Sequence, residues 1–338
     1  MPESLPSSTV LSGGPVLVTG ATGLVGGAVA RELAARGWAL RVFARASSDV
    51  SRLPPGAAVH RGELADAVAL DAALRGCVAV VHVAGIATIG QHGAAELDAT
   101  NVAGVEAVLG AAVRVGVRRA VVTSSTAAMG GTSTPAVRDE AAPGNAEALG
   151  IPYFTSKLHG ERAALAFGAR GLEVVALRPA YVLGPGDVHG SSASTVLAFA
   201  RRRIPAWVEG GASFCDVRDV AAAHAEALVR GRPGEAYLLG GHNLRMSEFV
   251  PRVCALAGVK PPPRVPFPVA WAAAGLQELG AKLGGRRAAM TRDLARAAAL
   301  YTFVSSAKAE RELGYRIRPL DEILRDTLED FRARGRLG

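Results

Sequence analysis

Tyr153 and Lys157 stand four residues apart in the run Tyr153-Phe154-Thr155-Ser156-Lys157. That spacing on an α-helix brings two side chains onto one face. An ammonium beside a phenol favours the phenolate and draws its pKa down from about 10. The pair therefore suits proton donation and acceptance near neutral pH. A second run, Thr19-Gly20-Ala21-Thr22-Gly23-Leu24-Val25-Gly26, carries three glycines at three-residue spacing. Gly20 suits a tight turn, Gly23 a close approach of backbone to a pyrophosphate, and Gly26 close packing of helix on strand. The helix that follows turns its first N–H groups and its positive potential toward the phosphates. In a chain with 40 glycines the triplet alone is weak. Its place between an apolar strand and an amphipathic helix makes it specific.

These residues need a scaffold, and the first half of the chain supplies its pattern. Apolar, β-branched runs at 15–19, 40–44, 57–61, 78–83, 120–124 and 172–177 alternate with helical stretches at 24–36, 67–74, 94–115 and 153–169. Strands that are apolar throughout, joined by helical crossovers, predict an α/β fold with a doubly wound parallel sheet covered on both faces. After Pro179 the rhythm changes. A Gly/Ser/His-rich loop at 184–194 precedes a strand at 214–217, a helix at 220–230 and a strand at 236–239, and the remainder reads as helical. The expected organisation is a disordered tail over 1–13, a nucleotide-binding domain over 14–182 to which 211–242 returns, and a smaller, mostly helical substrate-binding part over 183–338.

The GxxGxxG loop and YxxxK motif resemble those of the extended short-chain dehydrogenases/reductases, the NAD-dependent epimerase/dehydratase superfamily. The resemblance spans nearly the whole chain. It implies a Rossmann-type fold and a Ser-Tyr-Lys triad. The family register, with its catalytic hydroxyl five residues before a glycine, implies Ser125 in Thr123-Ser124-Ser125-Thr126-Ala127-Ala128-Met129-Gly130, with Ser124 as the alternative. Tyr153 and Lys157 complete the triad. The cofactor is expected along Gly20, Thr22, Gly23, Leu24, Val25 and Gly26. Further contacts are expected at Glu63 and Leu64 (in Gly62-Glu63-Leu64, where the family has Gly-Asp-Leu), Ala84, Asn101, Thr123, Tyr153, Lys157, Pro179 and Val182. His82 is a less suitable base than Tyr153 and reads as a histidine satisfied near the sheet edge.

The second strand ends Val42-Phe43-Ala44-Arg45 with no acid before Asp49. An acid there serves the adenosine ribose of NAD, whereas a guanidinium suits the 2′-phosphate of NADP. Arg45 therefore favours NADP(H), with NAD(H) the alternative. The run from Arg178 to Asp187 resembles the family's RPxxVxGPGD; Asp187 and His189, in the loop it enters, read as substrate contacts or as solvated loop residues, the latter being the commoner case. Ala180 and Ala212 occupy places where sugar-nucleotide enzymes of the family carry diphosphate-holding Asn and Arg. The segment Phe214-Cys215-Asp216-Val217-Arg218-Asp219-Val220 is nearer the flavonoid reductase and 3β-hydroxysteroid dehydrogenase-like branch. The expected reaction is hydride transfer between nicotinamide and an apolar secondary alcohol or ketone. A nucleotide-sugar epimerase or dehydratase with tightly bound NAD, and a non-enzymatic redox-sensing binder, are the alternatives. Substrate contacts are expected at Ile86, Thr126, Met129 and Tyr181, within segments 86–92, 126–135 and 181–205.

With 38 Lys/Arg against 30 Asp/Glu the chain is formally +8. That charge raises nucleic acid or an anionic membrane as partners. The arginines are scattered without interleaved aromatics, so no nucleic-acid partner is expected. Cys77, Cys215 and Cys254 form neither a CxxC nor a metal-ligand spacing, so no metal is expected and a reducing, cytoplasmic setting is. The polar segment 1–14 lacks the features of a signal peptide. The most apolar stretch, 269–283, contains Gln277, Glu278 and Lys282 and reads as a helix packed inside the protein, not a membrane span. In the family, helices matching 94–115 and 153–169 pair into a four-helix interface, which implies a possible homodimer.

Overall fold

The computed structural model describes residues 13–188, 190, 192–285 and 288–337. The expected tail, apart from Gly13, and His189 lie outside the described residues. The chain runs through β1 (Val16–Thr19), α1 (Leu24–Ala35), β2 (Leu40–Ala44), β3 (Ala58–Arg61), α2 (Ala67–Leu74), β4 (Ala79–His82), α3 (Ala94–Asn101), α4 (Ala103–Arg114) and β5 (Arg119–Thr123). There follow α5 (Ala146–Leu149), α6 (Pro152–Ala166), β6 (Glu173–Pro179), β7 (Tyr181–Leu183), α7 (Ser194–Ala200), β8 (Gly211–Asp216), α8 (Val217–Arg230) and β9 (Ala236–Leu239). The last part comprises β10 (His242–Arg245), α9 (Met246–Leu256), α10 (Phe267–Leu283), α11 (Arg292–Ala298), β11 (Tyr301–Thr302), α12 (Ala307–Leu313) and α13 (Leu320–Ala333).

Seven strands form one parallel sheet in the order β3-β2-β1-β4-β5-β6-β9. Helices cover both faces, a doubly wound Rossmann-type arrangement. The alternation along β1 shows why its residues are apolar throughout. Val16 and Val18 enter one core with Val29 and Leu33 of α1 and Ala221 and Leu228 of α8. Leu17 enters the opposite core with Leu70 of α2 and Leu109 of α4. Strand order reverses between β1 and β4, and such a switch point leaves a crevice at the carboxyl ends of the strands. Gly20, Ala84, Ser125 and Ala180 follow the ends of β1, β4, β5 and β6 there.

Three departures from the sequence reading have physical causes. The helix expected over 94–115 breaks at Val102, whose backbone lies at φ −110° and ψ −67°. Here α6 presses onto the break: a Cβ on Gly160 would sit 2.1 Å from the Asn101 carbonyl oxygen. Within 211–242, only β9 joins the main sheet. β8 instead begins at Gly211 and organises a small second sheet, pairing parallel with β7 and β11 and antiparallel with β10. Finally, the apolar helix α10 is not packed inside. It buries Ala270 and Ala274, while Val269, Leu276, Leu279 and Leu283 face outward. Among the described residues, no helix is long and apolar enough to cross a membrane.

Candidate active site

The glycine loop takes the shape its spacing requires. Gly20 has φ +71°, a left-handed conformation that favours glycine, and a Cβ there would meet the Ala84 nitrogen at 2.6 Å. A Cβ on Gly26 would lie 2.2 Å from the Gly20 carbonyl oxygen, so this glycine lets α1 pack against the loop. Gly23 differs: its Cβ would meet only the Gly20 oxygen, at 3.4 Å. It is also the N-cap of α1, without a side-chain cap and with no acid in the first turn. The first N–H groups of α1, around Leu24, Val25 and Gly26, therefore remain suited to an anion. The loop fits a dinucleotide pyrophosphate on these grounds.

Pro152 opens α6 at the position proline tolerates best. That start places Tyr153 in the first turn and Lys157 one turn later. Ser125 ends the β5 run as the N-cap of a short 3-10 turn, Thr126–Met129, and its Oγ accepts from the Ala127 N–H at 3.1 Å. The turn packs on α6, which brings the Ser125 side chain close enough to Tyr153 to act on its pKa. Ser124 is buried, and its Oγ has no partner among the described residues. Ser125, not Ser124, is the serine that acts on the Tyr153 pKa. The lowered Tyr153 pKa expected from the Tyr-Lys spacing is not what the fold gives: burial raises it, and the Ser125 side chain only partly opposes that rise. Desolvation lowers Lys157 to about 8. Gly85 leaves room beside the ammonium, since a Cβ there would sit 3.2 Å from Lys157 Nζ.

Asn101 and Thr123 both make hydrogen bonds within the fold. Asn101 Oδ1 accepts from the Ile86 N–H at 2.8 Å, and its Nδ2 donates to the Ile86 carbonyl and to Ser156 Oγ, both at 3.1 Å. Its amide thus ties the loop after β4 to α6 instead of reaching toward a cofactor. Thr123 turns its hydroxyl to His224 Nε2 at 2.8 Å, away from the crevice. His224 Nδ1 donates to the Val220 carbonyl at 2.8 Å, which leaves Nε2 as the acceptor for Thr123. Burial pushes His224 down to about 4. His82 is held comparably. Thr19 Oγ1 accepts from the Val83 and Ala84 N–H groups, each at 3.2 Å, and gives its own proton to His82 Nδ1 at 2.8 Å. Burial, then the Lys157 charge, pushes His82 down to about 3. It is neutral at physiological pH, but it is not the fully satisfied histidine the sequence suggested: its Nε2 is buried without a partner among the described residues.

At the other end of the crevice Arg45 is exposed beyond β2. A second arginine, which the sequence reading missed, stands beside it. Arg61 at the end of β3 donates through Nη1 to the carbonyls of Arg45 at 2.7 Å and Ser48 at 2.9 Å. The β2–β3 register, Ala44 opposite Arg61, brings it there. Glu63 is exposed and Leu64 is half-buried against Gly104.

The expected substrate residues separate. Ile86 packs with Ile89, Leu97 and Ala127 in the apolar cluster that holds Tyr153. Thr126 is buried at the start of the 3-10 turn. Met129 instead packs with Leu238 and Val304, and its carbonyl accepts from Arg138 at 3.0 Å. Tyr181 hydrogen-bonds Thr195 at 2.6 Å and rests on Phe214, with ring centroids 5.4 Å apart. Met129 and Tyr181 thus both pack against framework elements, Met129 buried and Tyr181 half-buried. Val182 is buried within β7, and the loop after β7, bearing Asp187, is pinned by the last helix. Thr327 Oγ1 accepts from the Gly184 N–H at 2.9 Å, and Asp330 accepts from the Gly186 N–H at 3.1 Å. No local sequence signal pointed to Thr327 or Asp330.

The profile of the NAD dependent epimerase/dehydratase family matches residues 16–240. A putative dihydroflavonol 4-reductase of Synechocystis is 31% identical over 331 residues, covering 94% of each chain. Sterol demethylase protein B of Methylococcus capsulatus is 36% identical over 255 residues, 75% of this chain and 77% of that protein. Among solved structures, a nucleoside-diphosphate-sugar epimerase from Pseudomonas aeruginosa is similar with TM-score 0.80 and 26% identity, over 97% of this chain and all of the other.

Proposed function

This chain belongs to the NAD-dependent epimerase/dehydratase family of extended short-chain dehydrogenases/reductases, and we propose that it transfers hydride between NADP(H) and an apolar secondary alcohol or ketone. Tyr153, set in the apolar cluster with Ile86, Ile89 and Ala127, with Ser125 in the adjoining turn and Lys157 one helical turn on, carries this reading. Relatives named dihydroflavonol reductase and sterol demethylase support a flavonoid-, steroid- or β-keto-like compound.

The nicotinamide, when bound, gives or takes the hydride. Gly20, Gly23 and the first turn of α1 hold the pyrophosphate. Ser125 donates a hydrogen bond to the substrate oxygen, and Tyr153 gives or takes the proton on that oxygen. Lys157 holds the nicotinamide ribose and favours the Tyr153 phenolate by its charge. Carbonyl reduction needs Tyr153 protonated and Lys157 charged. Both states are lost as pH rises, so kcat/KM for reduction should fall above about pH 8, the value to which desolvation lowers Lys157. Alcohol oxidation, which needs the phenolate, should have its rising limb toward higher pH. Initial rates in both directions from pH 6 to 10 check this. A reduction rate that climbs across the range would remove Tyr153 as proton donor.

Arg45, with Arg61 beside it, supports NADP(H). Charged hydrogen bonds of this kind contribute about 1.5–3 kcal/mol. Arg45→Asp is therefore expected to raise KM for NADPH by about tenfold or more while improving NADH. An unchanged NADPH-to-NADH preference would count against a 2′-phosphate contact.

Similarity to a sugar-nucleotide epimerase supports a second reading, with NAD tightly held and regenerated. Ala180 and Ala212 weigh against it because neither offers a partner to a diphosphate. Net NADPH consumption with a ketone supports the first reading. NAD retained through purification, without net turnover, supports the second. Homodimerisation through α4 and α6 is part of the proposal. Gly110, Ala163 and Ala166 border a hollow of about 450 Å³ there and permit close helix packing.

A further inference from the structure

Helix α10 is amphipathic in the inverted sense. Val269, Leu276, Leu279 and Leu283 recur at spacings of seven, three and four, which on a helix form one stripe. That stripe faces solvent, with relative exposures of 55%, 72%, 56% and 82%. Ala272, Ala273 and Gly280 widen it and are also exposed. The buried side carries only Ala270 and Ala274. The polar groups work elsewhere, as ties to the neighbouring segment. Gln277 accepts from the Met290 N–H at 3.1 Å. Glu278 accepts from the Arg292 N–H at 2.8 Å and from its guanidinium at 2.7 Å. The helix is anchored by its polar residues and shows its apolar ones outward.

We infer that α10 lies in the interfacial plane of an anionic lipid bilayer, with the Val269–Leu276–Leu279–Leu283 stripe among the acyl chains. Charge supports this occupant. Residues 260–300 contain seven Lys or Arg (260, 264, 282, 286, 287, 292 and 296) against two acids, Glu278 and Asp293, so this segment holds five of the chain's eight net positive charges. Both acids already face arginines, Glu278 with Arg292 at 2.7 Å and Asp293 with Arg296 at 3.6 Å. Arg264 also faces an acid, Glu209, at 3.2 Å, so the charge left to meet an anionic surface on α10 itself is the exposed Lys282, one residue before Leu283. Area weighs against a second protein copy. The helix has 17 residues, so it is about 26 Å long, and its outward face about 10 Å wide covers roughly 260 Å². A standard protein interface buries about 800 Å² per partner. A lipid surface needs no such minimum, because each inserted side chain leaves water independently. The same hairpin continues on its inner side toward Tyr153, since Ala297 and Leu300 pack on the Tyr153 cluster.

The test is co-sedimentation of the full chain with vesicles of phosphatidylcholine alone or mixed with phosphatidylglycerol. Wild type is compared with Leu276→Gln/Leu283→Gln and with Lys282→Glu. Molar mass by light scattering and thermal melting are followed in parallel. The wild type should sediment with phosphatidylglycerol vesicles, and less as salt rises. The double variant should bind at least tenfold more weakly with an unchanged melt, and Lys282→Glu should weaken binding to anionic vesicles. The inference is overturned by a wild type that binds neither vesicle, by a double variant that binds equally, or by an oligomer that only the double variant loses. Binding is read without turnover, so failure of the hydride-transfer reading leaves this result interpretable.

Discussion

Tyr153→Phe should lower turnover by about 10²- to 10⁴-fold, the range a positioned general acid or base contributes, while cofactor affinity stays near wild type. The substitution removes one oxygen and keeps the ring, which packs edge-on to Phe154 with centroids 6.2 Å apart. The glycine loop and Lys157 make no use of that oxygen to hold a dinucleotide, so binding and chemistry should separate cleanly. Ser125→Ala should also slow turnover, since it removes both the donor to the substrate oxygen and the side chain that opposes the rise of the Tyr153 pKa. The two losses should combine less than additively because the Ser125 side chain acts on Tyr153. Single-turnover rates together with NADPH titration check this. Turnover of Tyr153→Phe within tenfold of wild type would remove Tyr153 as the proton carrier.

Acidification from pH 7 to pH 5 should cost the fold about 4 kcal/mol through two histidines. His82 and His224 are buried, and burial lowers them to about 3 and about 4. Both therefore stay neutral in the fold at pH 5, whereas the unfolded chain protonates them below its ordinary value near 6.5. The unfolded state binds more protons across this window, so stability is fully present above about 6.5 and declines as pH falls. Each group loses about 2 kcal/mol by pH 5. The half-buried carboxylates held low by arginine or lysine partners, such as Glu235 and Glu278, act mainly at lower pH, while His60, lowered by burial and by Arg41, adds to the histidine slope in the same direction. Urea unfolding at pH 7, 6 and 5 gives the slope, and His82→Asn/His224→Asn should flatten it. An equally steep slope in the double variant would assign the acid sensitivity elsewhere.

The local layer of the molecule was readable from one chain. β2, α2 and β9 fall at their expected bounds, because apolar runs and helical periodicity are short-range signals. Tyr153 and Lys157 are legible for the same reason: four residues on a helix share a face whatever surrounds them. The long helix expected across Val102 shows the limit. Its residues favour continuous helix, but the approach of Gly160 to the Asn101 carbonyl imposes a break that only packing reveals. Met129 and Tyr181 mark another limit. Their positions after strands were legible, but not that each turns into the framework.

The sequence by itself determined the doubly wound sheet, the phosphate-binding turn and the Tyr-Lys pair, since each is encoded in residue types within one or two turns of chain. Tertiary structure alone decided that Asn101 spends its amide on Ile86 and Ser156 and that Arg61 stands behind Arg45. It also decided that the final helix pins the loop at Gly184. These arrangements depend on register and contact between segments roughly 15 to 140 residues apart, and composition carries no information about that register. Helix α10 makes the difference plain: its apolarity is written in the chain, but only the packing of Gln277 and Glu278 against the next segment turns that apolar side outward.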